Sequence, residues 1–367
     1  LFEVDAPSEI FSAGRFFKFP LRPGNLARQL SPKTLARIAA ENLRLKKPLE
    51  HSINFEQFAI NRYGPTLAQR FLLNYSAKLW GEKPASLLPE VAGGRLRRLD
   101  LSSFVQEMLF KGKRRSRHLD GSFFYPKYGI GMIADRVSEF IGTEQFHLNS
   151  RVTQLHHRDG RIERIIVNDT TEICARTVVN TLPLTISINM LSPTAPQTLI
   201  DAAKSIKYRN MILCVFCLDR PFFSPNASVY FPDDEFPITR LYEPKRRSPH
   251  MAPTTQTAIV LEIPCYQEDP VWHMPGEDLR RSVWEALQRV KQISFDEILC
   301  FKTIKLPFAY PVLEVGFLEK VRDLVAYLQS FENLRISGRS SLFRYLHLHD
   351  LFKSGRELMA EITKDSH

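Results

Sequence analysis

Asn333-Leu-Arg-Ile-Ser-Gly-Arg339, followed by Phe343-Arg-Tyr345, Asp350 and Gly355, is the stretch on which the fold turns. An apolar strand enters a Gly-Arg turn, and a charge-rich helix follows. That order predicts a helix N-terminus presented to an anion, typically a cofactor diphosphate. Such an ending completes a nucleotide site begun elsewhere, yet no G-x-G-x-x-G follows a strand and no G-x-x-x-x-G-K-[ST] occurs. The nearest approach is Gly129-Ile-Gly131, after Phe123-Phe-Tyr-Pro-Lys127 and before a helix from Met132. Two readings of it stand: a tight turn into a helix, or backbone amides approaching a ligand there.

The chain has 367 residues, 44% apolar and 25% charged, enough for two or three domains of an ordinary globular kind. No apolar run reaches the length of a membrane span, and no signal peptide opens the chain. It begins with Leu1 and reads as a fragment or processed product. Net charge is +10, from 50 Lys and Arg against 40 Asp and Glu, with clusters at Lys111–Arg117 and Lys245–Arg247. Both clusters read as solvated loops, and no motif for nucleic acid accompanies them. Five cysteines, odd and sparse, predict reduced thiols in a cytoplasmic setting.

Apolar residues recur at helical spacing from Pro23 onward, with helices expected over Phe55–Tyr63 and Leu67–Trp80. Asn54, three before Gln57, is a plausible cap. Val152–His156 and Ile162–Val167 alternate around Arg158-Asp-Gly160, a hairpin, and Thr177–Pro183 is a buried strand. Strand-like runs between Met211 and Pro311, interrupted by a helix over Glu277–Val290, predict an antiparallel sheet. Cys214-Val-Phe-Cys217 falls inside one such run, where a three-residue step points the two thiols to opposite faces, so it reads as core rather than metal site. His347-Leu-His349 is at most half a metal site. Among the arginines, Arg95 after Gly93-Gly94 and Arg240 beside an aromatic-rich strand suit diphosphate oxygens, although either taken alone is more often a surface or salt-bridge residue. Tyr310-Pro311 is a strand end or a pocket lining.

In order, Gly14-Arg-Phe-Phe-Lys-Phe-Pro-Leu21, Tyr75-Ser-Ala-Lys-Leu-Trp-Gly81 with Arg95, Val229–Arg240 with Ser248-Pro249, Phe308-Ala-Tyr-Pro-Val312 and Gly338-Arg339 with Tyr345 resemble the FAD-dependent amine-oxidase superfamily, and within it the group similar to UDP-galactopyranose mutase. The resemblance implies an α/β (α+β overall) chain with a Rossmann-like FAD domain, a helical subdomain and an antiparallel-sheet substrate domain. It divides this chain into 1–120 (helical cap), 121–183 (part of the FAD domain), 184–330 (substrate sheet) and 331–367 (return to the FAD domain). It further implies that Gly129, Gly131, Gly338 and Arg339 approach FAD, that Val152 meets its adenine end through backbone, and that Arg95, Arg240, Tyr310 and Tyr345 line a pocket for a diphosphate-bearing small molecule. No protein nucleophile is expected, because the reduced flavin supplies it.

Two departures accompany the resemblance. The family's opening βαβ unit is expected before Leu1, so the chain alone is expected to hold no FAD. Ser341 stands where a second glycine is usual after Gly-Arg. The alternatives are a flavin-dependent oxidase or desaturase of a lipophilic substrate, similar to protoporphyrinogen oxidase, and a flavin-free binding remnant.

Overall fold

Residues 1–44, 52–92, 123–291 and 293–364 are described by the computed structural model. Contacts divide the chain into one unit of Leu1–Ile141 with Tyr208–Leu313, and a second of Gly142–Lys207 with Glu314–His367.

The first unit is organised by a seven-stranded sheet. Its order is Ile298–Pro311, Tyr208–Leu218, Thr257–Cys265, Arg240–Tyr242, Ser228–Tyr230, Ser8–Ser12 and Arg15–Phe19. Neighbours are antiparallel except Ser228–Tyr230 on Ser8–Ser12. Strand periodicity decides which face is core: Ile212, Cys214, Phe216 and Leu218 are buried, and Ile259, Leu261 and Ile263 lie on the same face of the adjacent strand. The helix Gly276–Val290 covers them with Leu279, Val283, Ala286 and Leu287, one stripe at three- and four-residue steps. Phe17 of the hairpin packs into a second cluster with Leu26, Leu30, Tyr63, Leu67 and Phe71 from the helical segment.

The capping expectation holds at Asn54, whose side chain accepts the Gln57 amide at 2.9 Å. The single helix read over Leu67–Trp80 is corrected in its middle. There the chain runs through a π-helical stretch, Ala68–Leu73, before the α-helix Asn74–Trp80. Periodicity did not register the wider turn, because the same apolar residues still meet the core.

The thiol reading is corrected in part. Cys214 is buried and Cys217 faces away from it, as the strand period requires, but Cys217 lies opposite Cys300 in register and is disulfide-linked to it. Cys174, Cys214 and Cys265 remain free. Burial pushes the Cys214 thiol up to about 12 and that of Cys265 to about 11. Among the described residues no group of three or more His, Cys, Asp or Glu side chains could hold a metal, and no helix is long and apolar enough to cross a membrane.

Lys245 is likewise corrected, since it is not solvated: its ammonium is buried and donates to the carbonyls of Pro253, Thr254 and Gln256. Beside it the fully buried Glu243 accepts from the Phe223 amide, the Ser224 amide and the Thr257 hydroxyl. A buried charge without such partners would cost several kcal/mol, roughly, so the loop is built around both. The cluster at 111–117 lies outside the described residues.

The second unit holds a four-stranded sheet ordered Thr171–Ile173, Arg161–Val167, Val152–Arg158 and Leu191–Ser192. Its hairpin turns through Asp159 and Gly160, both at positive φ, as the Asp-Gly pair predicts. Leu334–Ile336 pairs in parallel with Val178–Asn180. Asn333 links the hairpin to this pair, donating to the Ile162 carbonyl and accepting its amide.

Candidate functional site

Arg240 sits in the first unit on a three-residue strand, directly opposite Glu262 in register. Its Nε donates to Glu262 Oε2 at 2.8 Å and its Nη2 to Oε1, a bidentate pair. Burial alone would lower the guanidinium, but the charge and hydrogen bonds of Glu262 outweigh it and hold Arg240 above its ordinary value. Three tyrosines surround the pair. The Tyr242 ring lies 5.0 Å from the guanidinium carbon, and Tyr75 and Tyr230 are near enough to act on its charge. Tyr75 and Tyr230 meet edge-on at 5.8 Å. Burial raises Tyr75 well above the usual phenol range, so its hydroxyl stays protonated and able to donate.

Tyr310 belongs to the same cluster, since its hydroxyl also bears on Tyr75 and its ring meets Trp80 at 6.1 Å. Trp80 ends the helix Asn74–Trp80, which carries Tyr75 at one end and Lys78 between. Lys78 donates to the carbonyls of Phe231 and Asp233 at 3.0 and 2.9 Å, and burial lowers it to about 8. Arg95, the other arginine expected at a diphosphate, lies outside the described residues.

Gly129 and Gly131 lie in the first unit, where the turn opens the helix Gly131–Ile141 as its sequence predicts. Gly129 takes φ +107, and a Cβ there would come within 3.2 Å of Met251 Cε; a Cβ at Gly131 would meet nothing within 4 Å.

Val152, Gly338, Arg339 and Tyr345 lie in the second unit. Val152 starts the strand Val152–Arg158. Gly338 takes φ +101 two residues past the end of the strand Leu334–Ile336, and Arg339 lies 4.4 Å above the ring of Tyr345. The helix expected directly behind this turn is corrected: it begins only at Leu348. Instead the Leu342 amide donates to the Gly338 carbonyl at 3.3 Å and Arg344 to Arg339 at 3.2 Å, a short stretch of turns. Ser341 suits that arrangement better than glycine would, since its buried hydroxyl donates to the Ser337 carbonyl.

The sequence reading missed Glu262, Tyr230 and Tyr242, and gave no role to Arg209 or Tyr266. Strand alternation could have found the first three: Tyr230, Arg240 and Glu262 lie opposite one another across three adjacent strands, and Tyr242, two residues from Arg240, shares its face.

A family profile described as flavin-containing amine oxidoreductase matches residues 9–304. No curated protein sequence matches the chain. Among solved structures it is similar to a reduced UDP-galactopyranose mutase, with a TM-score of 0.80 and 17% identity over 93% of this chain and 73% of that one. A candidate protoporphyrinogen oxidase from Exiguobacterium sp. 255-15 gives 0.71 and 15% over 93% and 76%. A redesigned putrescine oxidase gives 0.66 and 13% over 99% and 82%. These likenesses establish the FAD-binding amine-oxidase fold. The chain belongs to the flavin-containing amine oxidoreductases, and its cofactor is FAD.

Proposed function

We propose that this flavoenzyme rearranges a nucleotide-linked sugar, holding the substrate's diphosphate at Arg240. The observation that carries the reading is the guanidinium fixed by Glu262 inside a ring of tyrosines. With Nε and Nη2 engaged, Arg240 keeps its Nη1 edge for a ligand, and among the described residues no hydrogen bond occupies it. A guanidinium edge suits phosphate oxygens, and aromatic faces suit a base or sugar ring. Tyr75, protonated through the accessible pH range, would donate to the same oxygens, while Trp80 and Tyr310 would wall the sugar. Arg95 is assigned to the same diphosphate, and Tyr345 is kept as a substrate-binding residue. In the first unit, the positive-φ turn at Gly129 and the open space at Gly131 suit backbone amides that approach FAD; in the second, Gly338 turns at positive φ with nothing nearer than 3.8 Å to a Cβ, and Val152 and Arg339 are assigned to FAD as well. When bound, the reduced flavin would supply the nucleophilic chemistry. The chain's own part is to hold the departing diphosphate in place and exclude water.

One observation favours a second reading. Glu262 cancels the charge of Arg240, and a locally neutral, aromatic site also suits oxidation of a lipophilic substrate. With the flavin-loaded protein, turnover of UDP-galactofuranose only after dithionite reduction supports the first reading, and oxygen consumption with a porphyrinogen supports the second. Arg240→Ala should weaken UDP binding by about 1.5–3 kcal/mol, the usual range for a hydrogen bond to a charged group. Unchanged affinity would refute its role.

A further inference from the structure

Among the described residues Arg209 is one of the few charged side chains that are buried, at 4% exposure, and neither the resemblance nor the proposed chemistry gives it work. It lies on the strand Tyr208–Leu218, directly opposite Tyr310 in register. Its side chain reaches the last turn of Asn74–Trp80. Nε donates to the Leu79 carbonyl at 3.1 Å and Nη2 to that of Lys78 at 3.4 Å. The Tyr266 hydroxyl lies 3.1 Å from the next carbonyl, Trp80, and 2.9 Å from Glu82 Oε1, two acceptors that share its one proton. Arg209 in turn stacks on the Tyr266 ring at 4.3 Å, with Asp269 3.8 Å from its Nη1. Asp269 fixes that corner by accepting the Tyr266 amide at 2.7 Å.

Three carbonyls at the helix end are thus met by two side chains from the sheet. The positive charge lies where the helix carries its partial negative charge. The chain cannot back away: Gly81 closes the helix at φ +72, and a Cβ there would fall 2.6 Å from Arg209 Nη1 and 2.7 Å from Tyr266 Cε2. Desolvating a guanidinium costs several kcal/mol, roughly, far more than an ordinary cap needs, since glycine and water close most helix ends. Burial does lower Arg209 below its ordinary value, with Tyr266 and Asp269 opposing. What the arrangement gains over a glycine cap is position: the residue paired with Tyr310 in the sheet also grips the turn that sets Trp80 against Tyr310.

We propose that Arg209 is a positioning residue, which with Tyr266 fixes the Trp80–Tyr310 wall of the Arg240 cluster and so sets affinity for a ring-bearing anionic ligand. The inference rests on the Arg240 reading for the identity of the ligand, and on geometry alone for the wall.

The test uses the full chain with UDP as probe, in Arg209→Lys, Arg209→Met and the milder Tyr266→Phe, beside Arg240→Ala. The emission of Trp80 is isolated by subtracting a Trp80→Phe protein. Arg209→Lys keeps a cation at the helix end but not the fork on two carbonyls. Its unfolding midpoint should stay close to that of the parent while UDP binds about tenfold more weakly, the worth of one hydrogen bond of about 1.4 kcal/mol. Tyr266→Phe should shift Trp80 emission and weaken UDP about threefold, and Arg209→Met should do both more strongly. Trp80 emission and UDP affinity unchanged in both Arg209→Lys and Tyr266→Phe would overturn the proposal, as would losses that only track the fall in stability. If Arg240→Ala leaves UDP binding intact, the ligand reading fails on its own, and the shift in Trp80 emission still decides whether Arg209 holds the wall.

Discussion

Replacing Glu262 with Gln separates two effects that the Arg240–Glu262 pair combines. Glutamine can still accept from Arg240 Nε, but the negative charge is gone. Complete burial would make loss of the partner worth about 3–5 kcal/mol of stability. Here the side chains are 28% and 12% exposed and one hydrogen bond survives, so we expect a loss of about 1–3 kcal/mol. Binding should move the other way. A phosphate on the open edge of Arg240 would lie roughly 7 Å from the Glu262 carboxylate, and at an effective dielectric of about 20 that repulsion is roughly 2 kcal/mol. Removing it should tighten UDP binding about 30-fold at low salt. The gain should shrink at high salt, because part of the site is exposed. Titration calorimetry with UDP at two salt concentrations, beside urea unfolding of the same protein, reads both effects. A variant that loses stability and binds UDP no more tightly than the parent would refute the idea that Glu262 counterbalances a diphosphate-binding arginine.

Gly81→Ala should cost about 2–4 kcal/mol in urea unfolding, because the added methyl combines a left-handed φ with contacts under 3 Å to Arg209 and Tyr266; a loss under 0.5 kcal/mol, roughly, would mean the clamp yields freely. Lys245→Met should lose about 2–4 kcal/mol, since three carbonyls lose a charged donor while the cost of burying an ammonium disappears; a neutral result would show that water replaces the ammonium. Arg70→Met should leave stability unchanged or raise it by about 1 kcal/mol, because the buried Nε has no partner and burial lowers the guanidinium; a loss above about 2 kcal/mol would show that its contacts with the Phe17 and Phe71 rings dominate. Lys78 is lowered from 10.5 to about 8, so between those values the unfolded chain binds more protons and stability should rise with pH; a slope in that window equal to that of Lys78→Met would contradict it.

Elements whose signal is local were legible in the sequence. The Asp159-Gly160 turn, the Asn54 cap and the strand-like run Ile212–Leu218 depend on neighbours a few residues away; each forms, the last as part of the longer strand Tyr208–Leu218. Distant partners were not. Cys217 and Cys300 are 83 residues apart, and nothing in either segment announces that strand pairing sets them opposite. The same holds for Lys245. Three adjacent basic residues look solvated in one dimension, but the chain folds the carbonyls of 253–256 around the first of them.

The candidate site divides along the same line. A glycine that must take positive φ, as at Gly129 and Gly338, is marked by its own identity and by the strand or helix beside it. The electrostatic surroundings of an arginine are set instead by what lies across the sheet. Arg240 read alone is a cation waiting for an anion; Glu262, 22 residues on, already takes two of its nitrogens. Affinity at such a site is a difference between a ligand's attraction to the guanidinium and its repulsion from the carboxylate. Aromatic contact and hydrogen-bond geometry, more than net charge, must then provide the selection, so the bonds of Arg209 and Tyr266 to the helix end that carries Trp80 have more weight than the +10 of the whole chain.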